Sequence, residues 1–404
     1  MNKNLSSRWC RGTTLIALGI AVLSGCSDTA DGAAAGPGGT SSASGSTGAG
    51  GHGGSAGTTG SGGAGAGSTS AGGAGTGGDG GSGGSGPGNG GSGGSGTSSS
   101  GAGGSGEGSG GSSSAGTGKF VGNITTNGAV RDDFNKYWDQ ITPEIEGRWS
   151  SIETSRGVRD WSRLDAVYAY AQDNDIPFTQ YAFVWGTPQP SWLVSLPAEE
   201  QRQALRDWMQ AFCARYPDTR NIIVVNEPPP HTTPTFKNAI GGDGESGHDW
   251  IVNSFTWARE FCPDATLILN DYSNIEYETE HNRFVELVKT LLDAGAPIDA
   301  LGAEAHYAYR LDTSTVKGYI DRLAETGLPV YITEYDIALA DDEEQRRVME
   351  EQFTMFYNHG AVKGITLWGY VVGSTWLENT GLLHPDGTMR PAMAWLMDFL
   401  GRGE

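Results

Sequence analysis

The alternation of apolar and polar positions divides the chain at residue 119. Beyond it, short apolar runs alternate with longer segments whose apolar residues recur every three or four positions. Runs near 119–124, 140–146, 177–184, 221–226, 265–270, 298–305, 329–334 and 363–369 read as strands. Segments near 129–138, 161–174, 199–215, 249–261, 280–294, 314–326, 342–358 and 390–400 read as helices. In 280–294, Phe284, Leu287, Val288, Leu291 and Leu292 form one apolar stripe. Pro177, Pro217, Pro263, Pro297 and Pro329 each follow a helical stretch, where the chain must change direction. Eight strands, each followed by a helix, predict an α/β fold: a closed (β/α)8 TIM barrel over residues 119–404.

The part before the barrel lacks such a pattern. Residues 27–118 are almost entirely Gly, Ser, Ala and Thr. They offer little apolar surface to offset the entropy of ordering, so they read as a disordered linker with an end-to-end distance of about 50–60 Å. Residues 1–26 read as an export signal: Lys3, Arg8 and Arg11 precede an apolar run from Thr13 to Leu23 that is too short to span a bilayer. The run ends in Leu23-Ser24-Gly25-Cys26, which resembles a bacterial lipobox. That resemblance implies cleavage before Cys26, lipidation of it, and a protein held at the cell surface or outer membrane. With an ordinary signal peptide, the protein would be secreted.

Net charge is −21, nearly all of it carried by the predicted barrel. Nucleic acid and anionic membrane surfaces call for basic patches, so neither is an expected partner. A neutral polymer or small ligand fits, as does acidity that merely keeps the protein soluble. Cys213 and Cys262 lie near the ends of the third and fourth helices. In an exported chain they are either paired in a disulfide or two buried thiols. With no C-x-x-C pair, no P-loop and no G-x-G-x-x-G after a strand, neither a metal site nor a cofactor is expected. The run Asp341-Asp342-Glu343-Glu344 reads as a helix N-terminus, where acids complement the dipole.

Two strands end on a glutamate. Ile222 to Asn226 is a buried run followed by Glu227 and three prolines, and Val330 to Thr333 leads to Glu334. The C-terminal strand ends of such a barrel carry its chemistry. Two carboxyls there are the parts needed for glycoside hydrolysis, one staying ionised and one giving up a proton.

Several stretches, in order, resemble glycoside hydrolase family 10, the retaining endo-β-1,4-xylanases. They are Ile141-Thr142-Pro143-Glu144, Phe183-Val184-Trp185, Val224-Val225-Asn226-Glu227, Leu269-Asn270-Asp271-Tyr272, Ala305-His306-Tyr307, Ile332-Thr333-Glu334-Tyr335-Asp336, Ile365-Thr366-Leu367-Trp368-Gly369 and Ser374-Thr375-Trp376. The resemblance implies Glu227 as acid/base, Glu334 as nucleophile, Asn226 on the sugar 2-OH and His306 against the nucleophile. It also implies Trp368 and Trp376 packed on sugar rings, with Trp185, Glu144, Arg148 and Tyr181 lining the substrate cleft. Asp271, Glu276 and Asp336 read as structural. Departures from the family pattern gather in the sugar-binding half: Ile145 replaces an amide, Arg148 a lysine, Tyr181 and Gly186 histidines, and Glu304 a glutamine. Glu304 adds a third carboxylate, and a salt bridge from Arg148 across the pocket is expected to offset it. The expected activity is retaining endo-β-1,4-xylan hydrolysis by a monomer. The alternatives are hydrolysis of another β-linked glycan, or glycan binding without catalysis on a cell surface.

Overall fold

The computed structural model describes residues 118–402. The export signal, Cys26 and nearly all of the predicted linker lie outside them. Eight parallel strand positions run β1 (Phe120–Ile124), β2 (Ile141–Thr142), β3 in two pieces (Thr179–Gln180 and Val184–Trp185), β4 (Asn221–Asn226), β5 (Thr266–Tyr272), β6 (Ala300–Glu304), β7 (Val330–Tyr335) and β8 (Val362–Leu367). β1 pairs with both β2 and β8, and a bridge from Ile141 to Phe178 brings β2 against β3, so the sheet curls into a nearly closed barrel. The main outer helices are α1 (Phe134–Tyr137), α2 (Trp149–Ile152), α3 (Ser162–Asp173), α4 (Ala198–Arg215), α5 (Asp249–Phe261), α6 (Glu278–Asp293), α7 (Thr313–Ala324), α8 (Asp342–Asn358) and α9 (Pro391–Leu400). Asp341 caps α8, accepting from the backbone N–H groups of Glu343 and Glu344.

Apolar side chains fill two layers. One lies between strands and helices, where Trp161, Trp208 and Trp149 stack in sequence with ring centroids 5.4 and 5.9 Å apart. A smaller cluster inside the barrel joins Ile124, Tyr181, Ile223, Ile268, Ala300 and Trp368. Alternation along a strand then places Asn270 above Ile268, and Gly302 and Glu304 above Ala300, on the inward face. Cys213 in α4 and Cys262 just after α5 are joined in a disulfide, so the free-thiol alternative falls away.

Three predicted elements are shorter than expected. The helix near 129–138 is one turn, because Asn127 and Gly128 both take positive φ and the chain doubles back through a Thr126–Ala129 bridge. The strand near 140–146 stops at Thr142: Pro143 has no N–H to give, Glu144 N–H donates to Thr125 Oγ1, and Ile145 N–H donates to Glu146 Oε2. The strand near 177–184 is broken around Tyr181 and Ala182, whose peptide bond is cis.

Candidate active site

Every candidate group sits at the C-terminal ends of the strands. Glu227 follows the last residue of β4 with φ 49°, a left-handed conformation unusual for a residue bearing a Cβ. Its backbone is clamped: Glu227 N–H donates to Asn270 O (2.9 Å), while Thr232 donates to Glu227 O from both its N–H and its hydroxyl. Such strain persists only where neighbours over-determine it, and it is common at reactive positions. Burial raises the Glu227 pKa to about 7, helped by the charge of Glu334; a close approach of the Trp185 indole N–H, short of a formed hydrogen bond, partly offsets this.

Glu334 lies on β7, nearly fully buried. The register against β8 slips between Ile332 and Tyr335. This irregularity lets consecutive residues, Thr333 and Glu334, reach the same partner, Asn270. Asn270 is the hub of the site. Its Nδ2 lies 2.7 Å from Asn226 Oδ1, 2.7 Å from Glu304 Oε1 and 3.1 Å from Glu334 Oε1, and its Oδ1 accepts from Thr333 Oγ1 at 2.6 Å. Asn226 Nδ2 in turn lies 3.3 Å from Glu227 Oε1 and 3.3 Å from the Tyr181 hydroxyl. Two amides therefore link Glu227 to Glu334 across one mouth of the barrel.

His306, two residues past β6, places Nε2 3.4 Å from Glu334 Oε2 and 4.0 Å from Glu304 Oε2. Its Nδ1 lies 3.0 Å from Asp336 Oδ2, an oxygen that also accepts from Trp376 Nε1 at 2.7 Å. Burial works against charge on His306, but Asp336 and Glu334 overcome it and raise the pKa to about 10. An imidazolium thus faces the Glu334 carboxylate at neutral pH. Asp336, expected to be structural, orients both this cation and an aromatic ring. Tyr181 is buried among Glu334, Glu304 and Glu227, and burial followed by those charges pushes its hydroxyl well above the usual phenol range.

The rim is more open. Trp376 is 49% exposed and offers a free face, whereas Trp368 is 4% exposed and packs edge-on against Tyr181 as part of the floor. Arg148 does not form the expected salt bridge with Glu304. Its Nε donates to Glu144 O and its guanidinium lies over the rings of Trp185 (5.2 Å) and Tyr181 (5.8 Å). The planar cation gains more from two aromatic faces and a carbonyl on its own loop than from reaching across the pocket. Glu144 is half-buried, and burial raises its pKa against the pull of Arg148.

Sequence reasoning placed Glu227, Glu334, Asn226, His306, Tyr181 and Glu304 in one cluster, and the structure brings them together. It missed Asn270 and Thr333 as site residues, and His231, whose Nδ1 sits 2.6 Å from Asp271. One signal for Asn270 was available: Gly302, its cross-strand partner, is a glycine inside a strand, a mark of close approach by a neighbour. Glu304, His306 and Glu334 bring ligand-capable atoms within 4.8 Å of one another. His306 is paired through Nδ1 with Asp336, and Asn270 donates to one oxygen of each glutamate, so the three form part of one hydrogen-bonded acid–base network.

Comparison with known proteins agrees with this geometry. Residues 111–398 match the model of glycosyl hydrolase family 10. Endo-1,4-beta-xylanase B of Cellvibrio japonicus (strain Ueda107) is 47% identical over 281 residues, which span 69% of this chain but only 45% of that protein. Endo-1,4-beta-xylanase A of Caldicellulosiruptor saccharolyticus is 28% identical over 278 residues, covering 62% of this chain and 81% of the relative. Native xylanase 10B from Thermotoga maritima shares the fold with a TM-score of 0.62 at 24% identity, over 70% of this chain and 95% of that one. With the barrel, the paired strand-end glutamates and the family match in agreement, this chain belongs to glycosyl hydrolase family 10.

Proposed function

We propose that the barrel hydrolyses internal β-1,4 linkages of xylan with retention, Glu227 serving as acid/base and Glu334 as nucleophile. One observation carries the reading: the two carboxyls share one mouth but have opposite surroundings. Glu227 is pushed toward the protonated state at neutral pH, while Glu334 faces a charged His306 and an amide donor. In the first step a Glu334 oxygen attacks C1 as the C1–O bond breaks, and the Glu227 proton goes to the leaving oxygen. In the second, ionised Glu227 takes a proton from water, the water oxygen attacks C1, and Glu334 departs as a carboxylate. In this reading Asn226 holds the sugar 2-OH, and the open face of Trp376 receives a sugar ring. Xylanase names among the relatives support xylan as the polymer.

The test is product analysis on arabinoxylan, glucuronoxylan and β-glucan, with NMR reading the anomer first released. Xylan cleavage with a β-anomer first, lost in Glu227→Gln and in Glu334→Gln, is the expected result. Full activity in either variant, or an α-anomer first, removes the assignment.

The location is also a proposal: export, with lipid on Cys26 and the 27–118 segment holding the barrel away from a membrane. The basic start, apolar run and Leu-Ser-Gly-Cys ending support it. Fatty-acid labelling that survives Cys26→Ala would refute it. We read the enzyme as a monomer, which sedimentation would check.

A further inference from the structure

We propose that Glu304 and Glu334 hold one proton between them, with Glu304 donating its O–H to the Glu334 carboxylate. The inference deepens the reading above and rests on Glu334 being the nucleophile. It makes Glu304 a positioning residue that holds the attacking group in place.

The geometry is that of two parallel acids. Each places Oε1 on Asn270 Nδ2, at 2.7 and 3.1 Å, and each turns Oε2 toward His306 Nε2, at 4.0 and 3.4 Å. The two carboxyls converge on the same two groups and bring oxygens within 4.8 Å of each other and of His306, and Glu334 acts on Glu304 as a hydrogen-bonding neighbour. Both residues are nearly fully buried, so water cannot screen two adjacent negative charges.

Charge balance leads to the same point. Glu304 faces Glu334 from β7, Glu227 from the end of β4, Asp271 and Tyr272 from β5, Tyr181 from β3 and His306 beyond its own strand. His306 is claimed by Asp336, and Asp271 by His231 and Arg283. One cation, His306, is thus shared by Asp336, Glu334 and, at 4.0 Å, Glu304, too little positive charge for Glu227, Glu304 and Glu334 to be ionised together. Glycosyl transfer needs Glu334 ionised and Glu227 protonated at the start, then Glu227 ionised in the intermediate. Glu304 is the only one of the three free to stay protonated through the whole cycle. Burial, then the charges of Glu334 and Glu227, push its pKa well above the usual carboxyl range.

The roles are consistent step by step. Before attack, the Glu304 O–H donates to ionised Glu334 and fixes its plane. When Glu334 becomes an ester its charge is lost and Glu227 becomes the carboxylate, while Glu304 keeps its proton. No oxidant or further reactant is involved.

Carboxyl NMR of the full chain labelled at glutamate Cδ tests this. The Glu304 resonance is the one that disappears in Glu304→Gln. At about pH 6, where an ordinary glutamate of pKa about 4.3 is ionised, it is expected at the protonated-acid position. In Glu334→Gln, with the neighbouring charge removed, its titration should move to lower pH. That second variant alone reads the coupling if Glu304→Gln does not fold. A Glu304 resonance already at the carboxylate position at about pH 6, or a titration unchanged in Glu334→Gln, overturns the proposal. Hydrolysis by Glu334→Gln reads the other question: activity there would remove the nucleophile assignment while leaving the shared proton in place.

Discussion

Replacing Gly302 with alanine tests whether the site depends on its hub. A Cβ built on Gly302 would lie 2.1 Å from Asn270 Oδ1 and 2.9 Å from its Cγ. An ordinary contact requires the amide to retreat by about 1 Å, and overpacking of that kind costs about 1–3 kcal/mol. Asn270 cannot retreat cheaply, because its amide is held by Asn226, Glu304, Glu334 and Thr333 at once. Its displacement would shift Glu334 and, through Asn226, the approach to Glu227. A misplacement of about 1 Å in a catalytic constellation is enough to lose about a hundredfold in rate. Gly302→Ala should therefore melt a few degrees lower and lose about a hundredfold in kcat on xylo-oligosaccharides, with KM moving less. A folded variant with wild-type kcat would show that the hub does not position the acids.

Four further outcomes follow from the structure. Activity should fall as pH rises through about 7, where Glu227 loses the proton it must donate. The raised pKa also costs stability: relative to the unfolded chain the contribution is fully present below about 4.5 and lost as pH passes about 7, so Glu227→Gln should flatten that part of the denaturation-versus-pH curve. The disulfide closes a loop with a sequence separation of 49, worth about 4 kcal/mol by chain entropy, so a double serine variant should unfold at markedly lower urea. Asp336→Asn weakens two contacts at one oxygen, that of His306 and that of Trp376, so kcat should fall about tenfold or more and KM should rise; a change in neither would show that Asp336 only packs.

The barrel was legible because its signals are local and periodic. Apolar runs, helical stripes and prolines after helices placed all eight strands without reference to their neighbours. Elements shrank where side chains took over backbone hydrogen bonds, as Thr125 and Glu146 do just beyond β2. Glu227 and Glu334 were legible because a carboxylate ending an apolar strand breaks the pattern. Asn270 and Thr333 were not, because their importance lies in pairing across strands far apart in sequence. Arg148 was misplaced for a similar reason: the charge on Glu304 could be read from the sequence, but not that Trp185 and Tyr181 would present two faces to the guanidinium nearer at hand.

The positions expected to depart from the family resemblance divide by depth. Glu304 lies on the floor, within the hydrogen-bonded chain that links both catalytic candidates, so its effect reaches them through their placement and protonation rather than through the substrate's side groups. Arg148 lies at the half-buried rim beside Trp185, in a position to meet a polymer rather than the reacting atoms. Tyr181 joins the two levels. Its hydroxyl meets Asn226 while its ring packs on Trp368 and lies beneath Arg148. A change in the substrate side groups tolerated would therefore trace to Arg148, a change in pH response to Glu304, and Tyr181 is the residue through which either change could reach the other.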